Sequence, residues 1–278
     1  MPLIAMASYC TPDNNRFPLL LRTLDSLART VDWSRHRLVV IDNGSTCPDA
    51  RGFFGHSERF GLGGWVDGGR FYNAPPATLI RNAENRGQAR ALNQGWVLRN
   101  PGEHVARIDS DVAIPDAGWL DRLCDCLDRD PTLGLVALKR TDAWERPDHP
   151  DAAWRSELRM LPHEPGQDWL AVEAAESIMG TCQAVSHRLV DRVGYLYQGK
   201  FLWSLEDTDF IARAAAAGFW GGFFVNCRVT HLDQTPSGGS EYQRWKEGEA
   251  DAHHPILNAR RAAYLDGSVS IYRGPDDE

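Results

Sequence analysis

The chain has 278 residues, 42% hydrophobic and 24% charged, an ordinary globular composition with enough apolar side chains for a core. Its 30 Lys and Arg against 38 Asp and Glu leave a net charge of −8 with histidines neutral. That balance disfavours sequence-independent binding to a polyanion, which needs clustered cations at the phosphates, so nucleic acid is demoted though not excluded.

The start, Met1-Pro2-Leu3-Ile4, runs straight into an apolar run with no charged leader or small-residue cleavage site. The most apolar late stretch, 218–225, is far short of the roughly 20 residues that span a bilayer. Cys10, Cys47, Cys124, Cys126, Cys182 and Cys227 form no C-x-x-C pair. The expectation is a cytoplasmic protein with reduced thiols and no membrane span.

Along the first half, strands and helices alternate. Residues 3–8 read as a buried strand, and 17–28 as a helix with Leu20, Leu24 and Leu27 at helical spacing. A second strand, 37–41, is closed by Asp42-Asn43-Gly44-Ser45-Thr46, which is turn chemistry. The segment 61–69 is glycine-rich without the spacing of a dinucleotide fingerprint, and reads as a mobile loop. A weaker strand at 77–80 and a helix at 87–98 follow. A fourth strand, 105–108, ends in Asp109-Ser110-Asp111. A helix is expected from Pro115, with Trp119, Leu120, Leu123 and Leu127 on its apolar face, and then a fifth strand at 133–138.

The second half is less regular. Residues 140–168 read as a long polar excursion over the surface. Residues 173–186 read as strand-like, 189–193 as a short helix, 206–217 as a helix stopped by Gly218, and 220–225 as a late strand. From Thr235 onward the chain reads as a hydrophilic tail. The fold class expected is α/β, a single domain around a mostly parallel sheet flanked by helices, with a smaller mixed region on the acceptor side. Its parts are expected to be 1–112, 113–234 and a tail at 235–278.

In such sheets ligands collect beyond the carboxyl ends of the strands, and Ser8, Asp42 and Asp109 all fall at such ends. Asp109 and Asp111 flank one small residue after a buried strand, so both carboxylates can face one site, where a divalent cation would relieve their repulsion. The bland alternative is a turn capping the next helix. Glu206-Asp207-Thr208-Asp209 opens the late helix. Capping and the helix dipole explain one or two of these acids, less well three, and Phe201 and Trp203 stand just upstream. His231 can supplement carboxylates around Mn2+ or Mg2+, with His253 and His254 as rivals in the tail. Arg81, Arg86 and Arg90 surround a helix start at Asn85-Arg86-Gly87-Gln88 that suits a diphosphate, or is a solvated face.

Taken in order, these segments resemble the inverting family 2 glycosyltransferases with the GT-A nucleotide-diphospho-sugar transferase fold. The resemblance runs from Leu3 to about His231 and rests on Val39-Val40-Ile41-Asp42-Asn43-Gly44-Ser45-Thr46, on Asn85 to Gly95, on Asp109-Ser110-Asp111, on Gly180 with residues 188–194, and on Glu206-Asp207-Thr208-Asp209. It implies that Ser8, Asp42, Asn43, Arg81, Arg86, Asp109 and Ser110 bind a nucleoside-diphosphate sugar. Asp109, Asp111 and His231 would hold Mn2+ or Mg2+, Asp207 beside Glu206 would be the general base, and Trp203 and Gly180 would face a hydroxyl-bearing acceptor. The class of that acceptor and the oligomeric state stay open. Asn43 stands where many relatives have a second Asp, and Ala7-Ser8-Tyr9-Cys10 replaces the more usual Pro-Thr-Tyr-Asn. Two other readings compete. A nucleotidyltransferase should carry a glycine-rich basic loop where Tyr9-Cys10-Thr11-Pro12-Asp13 stands, and a non-catalytic sugar-binding module would use Trp203 and Trp220 as platforms without needing Asp207.

Overall fold

A strand that is apolar on both faces has to be covered by helices on both faces. In the first strand, Leu3 and Ala5 join one hydrophobic cluster while Ile4 and Met6 join the other. The computed structural model describes residues 2–55, 59–60, 64–67, 70–142, 157–203, 205–233 and 241–277, with side chains described outside 59–72. In chain order the elements are β1 (Leu3–Ser8), α1 (Phe17–Thr30), β2 (Arg37–Asn43), α2 (Pro48–Gly55), β3 (Arg59–Phe60), β4 (Gly64–Asp67), β5 (Arg70–Asn73), β6 (Ala77–Asn82), α3 (Gln88–Trp96), β7 (Val105–Ile108), β8 (Val112–Ala113), α4 (Trp119–Arg129), β9 (Leu133–Arg140), β10 (Glu157–Met160), β11 (Ala171–Ala174), β12 (Cys182–Val185), α5 (His187–Val193), α6 (Glu206–Ala216), β13 (Trp220–His231) and α7 (Glu241–Leu265).

One sheet carries the order β10-β11-β13-β9-β12-β7-β1-β2-β6-β3, with β8 paired to β13 and β4-β5 as a separate hairpin. The strands β6, β2, β1 and β7 are parallel neighbours, as the alternation implies. β12 then runs antiparallel between β7 and β9, and β11 is antiparallel to β13, so the sheet as a whole is mixed. Helices α1, α2 and α4 pack on one face through Leu24, Phe54 and Trp119. Helices α3, α5 and α6 pack on the other through Leu92, Val190 and Phe210.

Several expectations change. The helix expected at Pro115 begins at Trp119, because Gly118 is left-handed (φ 70°) and its N–H is bound to the Thr30 carbonyl. The segment read as a loop at 61–69 contains β4 and part of the β4-β5 hairpin, while 61–63 and 68–69 lie outside the described residues. Within the excursion at 140–168, residues 143–156 are outside the described residues, and β10 adds an edge strand. The strand-like run at 173–186 is two strands, β11 and β12, on different parts of the sheet. The late strand reaches His231 through irregular pairing with β9 between Phe224 and Arg228.

The tail holds the largest difference: residues 241–265 form α7. It buries only His253, Leu257 and Tyr264, so its polar composition gives little helical periodicity to read. Three contacts fix it over α6 and the segment before it. His253 stacks on Phe201 at 4.6 Å, the Tyr264 hydroxyl donates to Asp209 at 2.7 Å, and Glu249 accepts the Leu202 N–H at 2.9 Å. His253 is thus a packing residue and not a rival metal ligand. No helix among the described residues is long and apolar enough to cross a membrane. All six cysteines are free.

Candidate active site

The triplet Asp109-Ser110-Asp111 leaves β7 and runs directly into β8. β8 pairs antiparallel with the end of β13, His231 opposite Val112, and the Leu232 N–H donates to the Asp111 carbonyl at 2.7 Å. That short pairing is what sets His231 beside Asp111. Ligand atoms of Asp109, Asp111 and His231 all lie within 4.8 Å of one another.

His231 Nδ1 is 2.9 Å from the Asp233 carbonyl, an acceptor, so Nδ1 is the donor there. Nε2 faces Asp111 Oδ2 at 3.3 Å. Two acceptors at that distance need a proton or a cation between them. Carboxylate oxygens with one imidazole suit Mn2+ or Mg2+, and the backbone contact at Nδ1 orients the ring as ligating histidines require. The residues present therefore fit a divalent cation.

Arg16, which carries no signal of its own in the sequence, also reaches this centre. It pairs with both Asp111 and Asp233 and lies over the Tyr242 ring at 5.5 Å. Burial is the largest influence and opposes the Arg16 charge, but Asp111, Tyr242, Asp233 and Asp109 together outweigh it and hold the guanidinium above its ordinary pKa. Burial raises Asp109 to about 6, with Arg107 pulling it down and Asp111 pushing it up.

The cavity at these residues is lined by Ser8, Tyr9, Arg16, Asn43, Asn85, Gln88, Asp109, Ser110, Asp111, Leu202, Trp203 and His231, and by Tyr242, Trp245 and Lys246 from α7. Of the residues singled out from the sequence, Ser8, Asn43, Asp109, Ser110, Asp111, Trp203 and His231 come together here. Asp42, Arg81, Arg86, Gly180, Glu206 and Asp207 are not among those lining it. Asp42 accepts the Ser45 N–H at 2.9 Å and has Arg81 at 3.7 Å, which is half-exposed. Missed from the sequence were Arg16, Tyr242, Trp245 and Lys246. The only local hint was aromatic and basic spacing in Tyr242-x-x-Trp245-Lys246, one face of a helix.

The amino end of α3 is filled by protein. Gln198 Oε1 accepts the Ala89 N–H at 2.8 Å, its Nε2 donates to the Arg86 carbonyl at 3.0 Å, and the Leu202 carbonyl accepts the Gln88 N–H at 3.0 Å. Gln198 comes so close that a Cβ at Gly87 (φ +85°) would lie 2.0 Å from its Nε2. The first-turn amides that would bind a diphosphate are therefore already used. Asn43 is equally committed. Its Nδ2 donates to Asn85 at 2.8 Å, and its Oδ1 accepts from Asn82 at 2.9 Å and from the Arg86 N–H at 3.1 Å.

Behind the cavity, Arg107 on β7 pairs with Glu206 at 2.9 Å and stands 3.9 Å from Asp109. Gly180 makes room for it: a Cβ there would fall 2.3 Å from the guanidinium carbon. The Gly180 N–H donates to Asp207 Oδ2 at 3.0 Å, and the Thr208 N–H donates to Oδ1 at 2.7 Å. Next to Gly180, the Thr181 carbonyl accepts the Asp109 N–H at 3.0 Å. Asp207 and Asp109 are thus held by adjacent backbone positions.

Burial raises Glu206 from 4.5 to about 7, with Arg107 pulling it down and Asp207 pushing it up. Between those values the folded chain keeps a proton that the unfolded chain has released, so this group's stabilisation is present below 4.5 and lost as pH rises toward 7. Metal-free protein is expected to have a lower urea midpoint at about pH 7.5 than at about pH 5 on this account. The slope should flatten in Glu206→Gln; an unchanged slope in that variant would remove Glu206 as its source.

The chain matches the family described as Glycosyl transferase family 2 over residues 8–193, well over half its length. It is similar to mannosyltransferase PcManGT from Pyrobaculum calidifontis, solved in complex with GDP-Man and Mn2+, at 20% identity and a TM-score of 0.57 over 95% of this chain and 71% of that one. It is also similar to S. aureus TarS 1–349, at 17% identity and a TM-score of 0.55 over 95% and 69% of the two chains. A curated relative, the uncharacterized protein y4gI of Sinorhizobium fredii (strain NBRC 101917 / NGR234), is 24% identical over 229 residues, 77% of this chain. This chain spans only 23% of the length of that relative. At such identities the solved structures speak for the fold, and the family match over the body of the sheet speaks for descent. The chain belongs to glycosyl transferase family 2 and has the GT-A fold.

Proposed function

We propose that this chain is a metal-dependent, inverting glycosyltransferase that moves a sugar from a nucleoside-diphosphate sugar to an acceptor hydroxyl. The observation that carries the reading is the convergence of Asp109, Asp111 and His231 within 4.8 Å. They meet beyond the carboxyl ends of parallel strands, in a cavity shared with Arg16 and Lys246. Solved structures of similar fold hold GDP-Man with Mn2+, and UDP-GlcNAc.

In this reading Asp109, Asp111 and His231 would hold Mn2+ or Mg2+, Asp111 as its direct ligand and Asp109 with a share in the ribose. Bound there, the cation supplies Lewis acidity for the charge that grows on the departing diphosphate. Ser8, Asn43 and Ser110 line the cavity that would take the donor, and Asp42, Arg81 and Arg86 are proposed to bind the donor from outside that lining. Gly180 and Trp203 lie toward the acceptor. Asp207 takes the proton from the acceptor hydroxyl, whose oxygen bonds to the anomeric carbon. The carbon–oxygen bond to the diphosphate breaks, its electron pair stays on the leaving phosphate oxygen, and a single displacement inverts the anomeric centre. Residues 1–112 form the donor half and 113–234 the acceptor half, and the acceptor is any hydroxyl-bearing class. A cytoplasmic location fits the free cysteines.

Calorimetry with UDP, GDP and dTDP, with and without Mn2+, tests the centre. Wild type is expected to bind one of them in a Mn2+-dependent way, and Asp111→Asn to weaken that binding by about 100-fold or more, given that even outer-shell changes at metal sites cost ~10–100-fold. Equal binding with and without the ion would refute the metal assignment.

A further inference from the structure

Three cations around the site come with carboxylates. Arg16 has Asp111 and Asp233, Arg107 has Glu206, and Arg213 has Asp209 at 2.7 Å. Lys246 breaks the pattern. Its ammonium lies 4.7 Å from the Trp203 ring and 5.7 Å from the Tyr242 ring, and it has no ion pair or hydrogen bond among the described residues. Two aromatic faces attract a cation without supplying an oxygen acceptor for its N–H donors. The side chain is nevertheless partly buried and lines the same cavity as the acidic triplet. An ammonium that faces a cavity and donates to no protein oxygen among the described residues is suited to an anionic ligand there.

We propose that Lys246 is the protein's own cation for the donor's diphosphate, its ammonium meeting phosphate oxygens in the cavity it shares with the acidic triplet. This rests on the reading of the cavity as a nucleoside-diphosphate sugar site. The first turn of α3, the other feature suited to phosphate, is closed by Gln198 and the Leu202 carbonyl, which leaves Lys246 and the metal centre as the cationic groups facing the ligand. Arg16 is committed to Asp111 and Asp233.

The carrier of this cation lies outside the family match, which ends at residue 193. Tyr242, Trp245 and Lys246 stand at i, i+3 and i+4 on one face of α7. That face is held over the cavity by the His253, Glu249 and Tyr264 contacts. α7 therefore adds a wall to the donor site as well as stability to the fold. When the anomeric bond breaks, the diphosphate gains charge, and the ammonium interacts more strongly with the product than with the donor. Lys246 should accordingly favour both the forward step and the retention of product.

The test is calorimetry on the full chain with Mn2+ and UDP, GDP or dTDP, comparing wild type, Lys246→Met and Lys246→Arg, with thermal melting in the absence of nucleotide. Lys246→Met is expected to bind the preferred diphosphate at least about tenfold more weakly, the loss of one charged hydrogen bond, with an unchanged melting temperature. Lys246→Arg should stay within about threefold of wild type, since charge and reach are kept. Wild-type affinity in Lys246→Met overturns the proposal and leaves the glycosyltransferase reading intact. An equal loss in Lys246→Arg and Lys246→Met would assign the effect to packing on Trp203 and also overturn it. Failure of the wild type to bind any of the three diphosphates would bring down the donor-site reading itself.

Discussion

Asp207→Asn is expected to lower the rate of sugar transfer by ~10²–10⁴-fold, the usual loss when a positioned base is removed, while nucleoside-diphosphate affinity stays at the wild-type level. The split between rate and binding follows from position. Asp207 does not line the donor cavity. Its two oxygens accept the Gly180 and Thr208 N–H groups, which fix the carboxylate at the start of α6. Asparagine keeps the shape and one acceptor oxygen but cannot take a proton from an alcohol. Initial rates of nucleoside-diphosphate release with donor alone and with an acceptor, beside calorimetry for binding, separate the two quantities. Near-normal turnover would take the base away from Asp207, and a parallel loss of nucleotide affinity would place the residue in the donor site.

The second large effect concerns stability. Arg107 and Glu206 bury their side chains to 2% and 4% exposure and meet at 2.9 Å. Arg107 Nε and Nη1 and Glu206 Oε2 have no hydrogen-bond partner among the described residues. The guanidinium therefore depends on the Glu206 carboxyl as its close side-chain acceptor, and Asp109 at 3.9 Å is a distant second. Glu206→Leu should destabilise the fold by about 3–5 kcal/mol, because it strands a buried guanidinium. For a protein of this size that lowers the melting temperature by on the order of ten degrees. Replacing both partners, Arg107→Met with Glu206→Leu, should recover most of the loss, since an apolar pair of similar volume has no charge to desolvate. A double variant less stable than Glu206→Leu alone would show that the pair contributes more than mutual neutralisation.

What could be read beforehand was what neighbouring residues write into one another. β1, β2 and β7 are short buried runs closed by turn residues, and their parallel pairing follows from the helices between them. The acidic triplet was legible because it stands at the end of such a run. β12 was not legible as the antiparallel neighbour of β7, because four buried residues record their burial and not the strand beside them. Arg16 pairs with an aspartate 95 residues away, and no local pattern encodes that distance. α7 was read as tail because its composition is polar, it holds Gly248 and Pro255, and only three of its side chains are buried. The helix is held by contacts with α6 and the segment before it, so its existence is a tertiary fact. The site residues it supplies were hidden for the same reason.

The plug in the first turn of α3 has a consequence for how the protein is made. The carboxamide that fills that turn belongs to Gln198, 109 residues after Ala89. The Asn93 carboxamide one turn on waits for Leu196 and for Pro275, which lies 182 residues further along the chain. A ribosome that has released only the first half has therefore exposed a sheet whose principal helix still lacks its end fittings. Such a half would present the open edge of β7 and an unfinished helix, the features that make partly synthesised chains prone to aggregation. The donor pocket then closes late, after the residues that pin α3 have emerged, and a pause in translation before residue 198 is where misfolding should concentrate.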